Sequence, residues 1–216
     1  MSTLLSTTYF GPIQWYQKLY RADVVIIEQC ENFQKQTYRN RCLIATTQGV
    51  QALTVPVERN VQCIKDIRIS DHGNWRHLHW NALQSAYGES PFFEYYQDDI
   101  RPFFESSRGG ASAGVKRWEF LLDFNEAIRQ KICELIDIQP TVTYSEEYIP
   151  EESLIALHPS PITSYRTAIN PKHSAPDPDF TPRPYYQVYA SKHGFLPNLS
   201  ILDLLFNMGP ESIFYL

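Results

Sequence analysis

The hydrophobic pattern at the start of the chain is that of short strands divided by turns. Residues 3–10 are rich in Leu, Thr and Tyr, which favours a strand, and Gly11-Pro12 ends it. Residues 13–20 continue as a short aromatic helix, and the apolar run 23–27 is typical of a strand that is buried on both faces. The chain is therefore predicted to open as strand, helix, strand, with the two strands paired in parallel.

Two further strands are predicted over residues 41–46 and 50–57, and Thr47-Gln48-Gly49 between them is a hairpin signal. Residues 64–69 alternate Ile with charged side chains, so we expect a half-exposed strand there. Sheet is thus expected to dominate residues 1–70.

The apolar spacing changes to three and four in the middle of the chain, which indicates helices over 74–87 and 92–104. Residues 116–137 give the strongest helical pattern, with one apolar stripe that is expected to be buried. The stripe consists of Trp118, Leu121, Leu122, Ile128, Ile132, Leu135 and Ile136.

Periodicity is lost in the Pro-rich residues 150–184, which we interpret as a surface excursion and an interaction arm. Brief strands are predicted on either side of it, over 141–144 and 185–190.

A closing helix is predicted over residues 200–208, where Ser200 and Asp203 have the spacing of a capping box. Together the elements predict one α/β (or α+β) domain over 1–216. Its mainly-β, strand-helix-strand N-terminal sheet, with a mixed hairpin extension, occupies 1–70, and a helical half follows over 74–137.

Composition narrows the class of protein. The chain has 216 residues, 43% hydrophobic and 20% charged, enough to bury a core. A net charge of −5 argues against a nucleic-acid partner. No segment has the length of a membrane span, and four scattered cysteines, Cys30, Cys42, Cys63 and Cys133, are interpreted as reduced thiols of a cytoplasmic protein.

Against this acidic background, the segment 35–41 places three cations, Lys35, Arg39 and Arg41, within seven residues. In strand-helix-strand units ligands lie at the carboxyl ends of strands, where Glu28 ends the second strand. A cleft for a phosphorylated or carboxylated ligand is one interpretation of this corner; a solvated charged loop is the other.

Three further features each have a functional and a plain interpretation. His77 and His79 are two apart, so on a helix they lie on nearly opposite faces; no metal ligand pattern is present, and no metal or cofactor is expected. The Gly-rich residues 106–114 lack the order of a phosphate loop and are expected to be a linker or a lid. Asp203 is either a helix cap or a charge that reaches the cleft.

Several motifs in the same order resemble the WbqC-like family, which is associated with bacterial surface-polysaccharide gene clusters. They are the aromatic-Pro-aromatic turn of residues 9–16, Phe33 and Lys35 with Arg39-Asn40-Arg41, the Val-Pro strand of residues 53–57, and the close of the chain over 199–209. Thr7-Thr8 stands where the family carries Gln-Pro.

Two hypotheses follow from the residues and the resemblance. The first is an enzyme of surface-polysaccharide assembly that transfers a group to or from a phosphorylated or nucleotide-linked sugar; the second is a non-catalytic binding or scaffold protein of the same pathway. The expected partners are a small anionic ligand, a nucleotide sugar or an acyl donor, and a second copy in a homodimer. The candidate general bases are Glu28, His77 and His79; the candidate binding residues are Tyr9, Pro12, Trp15, Tyr16, Lys35, Arg39, Asn40, Arg41 and Asp203.

Overall fold

The computed structural model describes residues 2–58, 61–105, 118–154, 162–172 and 175–216. Within these ranges the chain is a mixed α/β fold with a parallel sheet and an antiparallel hairpin. In chain order the elements are β1 (Ser2–Ser6), α1 (Ile13–Arg21), β2 (Val24–Glu28), β3 (Arg41–Thr46), β4 (Gly49–Thr54), α2 (Trp75–Tyr87), α3 (Phe93–Ile100), α4 (Leu121–Leu135), β5 (Val142–Tyr144), β6 (Ile162–Ser164), α5 (Ala190–His193) and α6 (Ile201–Met208).

The main sheet has the strand order β5-β2-β1-β6, and all three pairings are parallel. The predicted parallel pairing of the opening unit is confirmed, with Ser2 opposite Val24 and Ser6 opposite Glu28. The central strands β1 and β2 are apolar because both of their faces are covered. Leu4, Leu5, Val25 and Ile27 are accordingly fully buried.

The predicted hairpin is also confirmed. Strands β3 and β4 pair antiparallel from Arg41 opposite Thr54 to Thr46 opposite Gly49. Gly49 has a φ of 101°, a backbone conformation that glycine adopts readily and residues with a side chain rarely adopt. Leu43 at the middle of β3 accepts a hydrogen bond from the amide of Ser200, which joins the hairpin to the closing helix.

The closing helix α6 is buried on all sides from Ile201 to Asn207. Its side chains Ile201, Leu202, Leu204, Leu205 and Phe206 are fully buried. Just before it, the chain pairs with the β1–α1 turn: the amide of Ile13 donates to the carbonyl of Leu199, and the amide of Ile201 donates to the carbonyl of Gly11. The two ends of the chain are thus held together by backbone hydrogen bonds.

The apolar stripe of the middle helix is confirmed for its central members. Helix α4 begins at Leu121, and Leu121, Leu122, Ile128 and Ile132 are buried along it. Trp118 precedes the helix, and both Trp118 and Leu135 are half-buried against the core. Ile136, which follows the last turn of the helix, is buried as predicted, so Trp118 and Leu135 are the two stripe members that solvent partly reaches.

Three strand predictions need correction. Strand β1 ends at Ser6, so the residues up to Phe10 form a turn; β4 ends at Thr54, before Pro56. Residues 64–69 hold a short 3₁₀ turn, Ile64–Asp66, and isolated bridges in place of a strand. The apolar pattern was misleading there because Ile64 and Ile67, both buried, are three apart, which is the spacing of a 3₁₀ turn.

The Pro-rich segment was predicted to be a surface excursion, and this is wrong for part of it. Residues 162–164 form β6, which pairs with β1 in the main sheet. No strand is present over residues 185–190, where a turn leads into α5. The Gly-rich residues 106–114 lie outside the described residues.

The capping box predicted at the closing helix is only half formed. The Ser200 hydroxyl accepts from the amide of Leu202, as an N-cap should. Asp203 does not reach back to Ser200, because its carboxylate is engaged inside the core. Of the helices that the structure describes, none has the length and apolar character to cross a membrane.

Candidate functional site

The candidate site lies where the strand order of the main sheet reverses. Strand β1 leads through α1 to β2 on one side, whereas β6 on the other side follows β5 from the far edge of the sheet. In open α/β sheets, ligands bind outside the carboxyl ends of the strands at such a switch point. We call the pocket found there the switch-point pocket.

The switch-point pocket is small and partly open to solvent, with about 10 Å³ for the centre of a water-sized molecule, which is room for about one water. Three aromatic side chains, two arginines and three Ser or Thr side chains are among the residues that surround it. Its lining residues are Leu5, Ser6, Thr7, Thr8, Trp15, Tyr38, Arg39, Tyr165, Arg166 and Ile169.

The pocket contains hydrogen-bond donors without a protein acceptor. The hydroxyls of Thr7 and Thr8 are buried and have no partner among the described residues. Arg39 bonds to the described residues through Nε and Nη2, which leaves both N–H groups of Nη1 without an acceptor there. Buried polar groups are nearly always paired in proteins, so two buried unpaired hydroxyls beside the unused nitrogen of Arg39 indicate a place for an acceptor.

Arg39 is held in this pocket by a carboxylate. It is only 4% exposed and forms a bidentate ion pair with Glu31 through Nε and Nη2. Nη2 also donates to the hydroxyl of Ser6 at 2.8 Å. The fork geometry of the pair fixes the guanidinium plane and aims the remaining nitrogen.

Arg166 is held by a second carboxylate. Its Nη1 lies 3.5 Å from Glu28 Oε2, and its Nη2 donates to the carbonyl of Ile149 and to Glu151. Glu28, at the end of β2, is fully buried. It also accepts from the Ser145 hydroxyl and from the amides of Cys30 and Ile149. Because its oxygens are saturated with donors, the geometry supports a positioning role for Glu28 rather than proton transfer.

A third ion pair closes the pocket wall. Lys18 of α1 pairs with Asp177 at 2.9 Å, and both side chains are buried. The Lys18 ammonium lies 4.5 Å from the ring centre of Tyr165, which lines the pocket. Gln14 donates to the same Asp177 carboxylate at 2.8 Å. This contact fastens residues 175–180 over α1.

The turn between β1 and α1 is tight. Phe10 is fully buried with a φ of 40°, a left-handed conformation that is rare for an aromatic residue. Gly11 is required because a Cβ at this position would collide with the Thr8 hydroxyl. The N-terminus of α1 is occupied: the amides of Ile13 and Gln14 donate to Leu199 and to the Asn198 side chain. An anion at this corner therefore has side-chain donors, not the helix end, as its ligands.

Tyr9 and His79 are brought together, but in the core and not in the pocket. The Tyr9 hydroxyl and His79 Nδ1 are 2.9 Å apart, and both residues are buried. Burial lowers the pKa of His79 to about 4, against the weaker effect of a hydrogen bond to the Thr54 backbone. His79 is therefore a neutral core residue that accepts from the phenol, whereas His77 is exposed and contacts Asn81.

The predicted binding residues separate into three groups. Arg39 and Trp15 line the pocket, and the Trp15 indole donates to the Ser6 carbonyl. Lys35 is exposed, and Arg41 lies on the hairpin with its Nε 3.1 Å from the Thr54 hydroxyl. The structure does not bring Tyr9, Lys35, Arg39 and Arg41 into one cleft. Tyr9 bonds to His79 in the core, Arg39 pairs with Glu31, and Arg41 contacts Thr54 on the hairpin.

The remaining predicted binding residues have packing roles. Pro12 is the N-cap residue of α1, and Tyr16 is fully buried beside Trp15. The side-chain amide of Asn40 donates to the Val55 carbonyl, and the Val55 backbone amide donates to the Asn40 carbonyl. These two bonds connect the start of β3 with the residue that follows β4.

Asp203 lies in a separate buried cluster. Its carboxylate accepts from the hydroxyls of Tyr87 at 2.9 Å and Tyr185 at 2.5 Å, and from Gln187 at 2.9 Å. Burial raises the pKa of Asp203, and the three donors oppose that rise. The cluster ties residues 185–187 to the closing helix and does not line the switch-point pocket.

Sequence reasoning missed Thr7, Thr8, Glu31 and Arg166. A signal for the first two was present, since paired hydroxyls directly after a buried strand and before a Gly-Pro helix start are at a ligand-binding edge. No local signal marks Arg166, because its neighbours in sequence are Pro-rich and its partners in space come from β2 and residues 149–151.

The residues that the structure describes contain neither a metal-binding cluster nor a disulfide. Among the described residues, no group of three or more His, Cys, Asp or Glu side chains is arranged to hold a metal ion. All four cysteines are free; Cys42 and Cys133 are buried, and Cys30 and Cys63 are half-buried. The pocket itself offers hydrogen bonds and orientation, and Tyr38 in its wall stays protonated because burial raises the pKa of its phenol to about 12.

Fold and pocket together define an α/β protein with a donor-rich pocket at the carboxyl edge of its parallel sheet. The chain belongs to the WbqC-like protein family, whose model matches residues 7–215. It is 28% identical over 215 residues to the uncharacterized protein Rv1507c of Mycobacterium tuberculosis (strain ATCC 25618 / H37Rv), over 90% of this chain and 87% of that protein. No solved structure matches the chain.

Proposed function

We propose that the protein is a group-transfer enzyme of surface-polysaccharide assembly that binds a phosphorylated or nucleotide-linked sugar through the switch-point pocket. The observation that carries this proposal is the pair of buried, unpaired hydroxyls of Thr7 and Thr8, next to the Arg39 guanidinium. An oxyanion from a ligand supplies the acceptors that the protein lacks.

Three further features support the proposal. The pocket is at the switch point of a parallel sheet, the usual ligand position in such folds. Its two arginines are fixed in advance by carboxylates, which reduces the cost of ordering them on binding. The strained turn at Phe10 is of the kind that clusters at functional sites. Membership of the WbqC-like family supports the connection with surface polysaccharides.

Binding is tested by thermal-shift measurements with UDP-linked sugars, dTDP-linked sugars, sugar phosphates and acyl-CoA. A true ligand at a hundred times its Kd stabilises the fold by about 2.7 kcal/mol. The variants Thr7→Val and Thr8→Val remove the unpaired hydroxyls while keeping side-chain shape. They should abolish the ligand-induced shift and leave the unliganded protein as stable as before or more stable, because an unsatisfied buried hydroxyl costs free energy.

Ser90→Ala is the matched control. The Ser90 hydroxyl is also buried and unpaired among the described residues, but it does not line the pocket. This variant should change stability without changing the ligand shift. Binding that survives both threonine substitutions would contradict the proposal.

One observation favours the alternative of a non-catalytic binding protein. Several large aromatic side chains are exposed, with Tyr95 at 74% and Phe214 at 70%. Exposed aromatic residues are common at protein interfaces. If no ligand of the panel stabilises the protein, and a pathway protein binds it in a way that depends on Tyr95 or Phe214, the scaffold function replaces the enzyme.

A further inference from the structure

We propose that the switch-point pocket selects an oxyanion with a single negative charge over one with two, and that Glu31 sets this selectivity. This inference rests on the proposed function and deepens it. It singles out a phosphoryl group that is esterified or bridged on two sides and so carries one charge, as each phosphoryl group of a nucleotide-linked sugar does, or the carboxylate of an acyl donor. It disfavours a phosphomonoester such as a free sugar phosphate.

The positive charge of Arg39 is already balanced within the protein. Its guanidinium is the cation that presents unused donors to the pocket, yet its charge is already matched by Glu31 in a buried bidentate pair. The side chains of both partners are at most 6% exposed. Solvent therefore screens this pair little, and its net charge is close to zero as seen from the pocket.

The neighbouring cations are paired with carboxylates as well. Arg166 faces Glu28 at 3.5 Å and Glu151 at 3.1 Å, and Lys18 pairs with Asp177 at 2.9 Å. Around the pocket, the three cations are thus opposed by at least as many carboxylates. Many anion sites hold surplus positive charge; this one holds neutral or compensated donors.

Burying a doubly charged group in this pocket is costly. A doubly charged group in a site without surplus positive charge loses hydration that hydrogen bonds alone do not replace. A singly charged oxyanion loses much less, and two hydroxyls with one half of a guanidinium can satisfy it. The small volume agrees, because it admits about one oxygen atom and leaves the rest of a ligand outside.

A matched pair of small probes tests the charge preference directly. Diethyl phosphate and ethyl phosphate share their chemistry, but at about pH 8 the monoester carries a second charge, since that ionisation has a pKa near 6. Acetate is the carboxylate probe. Binding is followed at constant ionic strength through the side-chain Nε–H resonance of Arg39, assigned by comparison with Arg39→Lys.

In the unmodified protein, diethyl phosphate or acetate should bind at least about tenfold more tightly than ethyl phosphate, a difference of about 1.4 kcal/mol. The tighter of the two monoanions distinguishes a phosphodiester from a carboxylate as the natural group. Glu31→Gln keeps an acceptor for Arg39 but removes the compensating charge. It should shift the preference about tenfold or more toward ethyl phosphate.

Glu151→Gln is the control variant. It also removes one carboxylate that pairs with a pocket arginine, but Glu151 is 50% exposed and well screened. Its effect on the preference should be smaller than about twofold.

Each other outcome decides a different claim. Tighter binding of ethyl phosphate to the unmodified protein overturns the charge selectivity but leaves the proposed function standing. A preference unchanged in folded Glu31→Gln removes Glu31 as its cause. If no probe moves the Arg39 resonance, the pocket is no anion site and the proposed function fails with it. The comparison of probes on the wild-type protein needs no variant, so it tests the charge selectivity even if Glu31→Gln folds poorly.

Discussion

Arg39 shows at the scale of one residue how burial changes the meaning of a charge. Its place in the cationic segment 35–41 predicts a surface residue whose removal leaves the fold nearly intact. In the structure it is buried, paired with Glu31, and its carbonyl accepts from the Asn125 side chain. The same guanidinium thus supports the fold with one edge and faces the pocket with the other.

Replacing Arg39 should therefore destabilise the protein as well as impair binding. Arg39→Ala leaves the Glu31 carboxylate buried without its partner, and the expected loss is about 3–5 kcal/mol in the free energy of unfolding, measured with urea. The double variant Arg39→Met with Glu31→Leu removes both charges and should recover most of that loss. Arg39→Ala within about 1 kcal/mol of the wild type would show that the pair is weak.

His79 predicts a pH dependence of stability. Its pKa is lowered from 6.5 to about 4 in the folded state, so between these values the unfolded chain binds more protons. Stability should fall as the pH decreases from 6.5 to 4, by up to about 3 kcal/mol from this residue. His79→Asn should flatten that part of the curve of unfolding free energy against pH. The exposed His77→Asn is the control and should leave the slope unchanged.

At the scale of the elements, α4 shows what helical periodicity can specify. The apolar spacing identified the helix and its buried face, because residues three and four positions apart lie on the same side of a helix. It did not specify where the face leaves the core. Leu121 is fully buried and Leu135 is half-buried, although both belong to the same stripe.

This difference predicts unequal effects of one substitution. Leu121→Ala leaves a cavity in a close-packed core and should lower the free energy of unfolding by about 2–5 kcal/mol. Leu135→Ala removes the same atoms where solvent can enter, so its loss should be below about 2 kcal/mol. Chemical denaturation of the two variants side by side measures the difference, and equal losses would contradict the burial seen along α4.

On the scale of the whole molecule, the segment 162–166 connects the late part of the chain to its beginning. Strand β6 pairs with β1, and the following Arg166 pairs with Glu28 from β2. The switch-point pocket lies between these pieces, so it exists only when the distant segments of the chain have come together.

Replacing residues 162–170 by a Gly-Ser linker of the same length tests this role. The change removes β6 and leaves Glu28 without its cation, so the loss should be at least about 4 kcal/mol, or roughly 10 °C in Tm. Circular dichroism and calorimetry measure it. A Tm within about 2 °C of the wild type would make this segment the surface excursion that its composition suggests.

The sequence by itself determined the opening strand-helix-strand unit, the hairpin, the middle helices and the closing helix, because their apolar spacing and turn residues act over a few neighbouring residues. Within the site, it indicated Arg39 and Trp15 by the cation cluster and the aromatic turn. It also predicted a ligand site at the carboxyl edge of the parallel strands, which follows from the strand-helix-strand pattern alone.

Only the tertiary structure decided which polar groups meet. Thr7 and Thr8, Glu31 beside Arg39, and Arg166 beside Glu28 come together through pairings between segments far apart in the chain, and no local pattern records such partners. The same holds for Tyr9 and His79. The sequence predicted that each contacts a ligand, whereas in the structure they form a hydrogen bond with each other. Local propensity describes a residue's own backbone, whereas the partner of a buried donor or charge depends on which surfaces the whole core brings into contact.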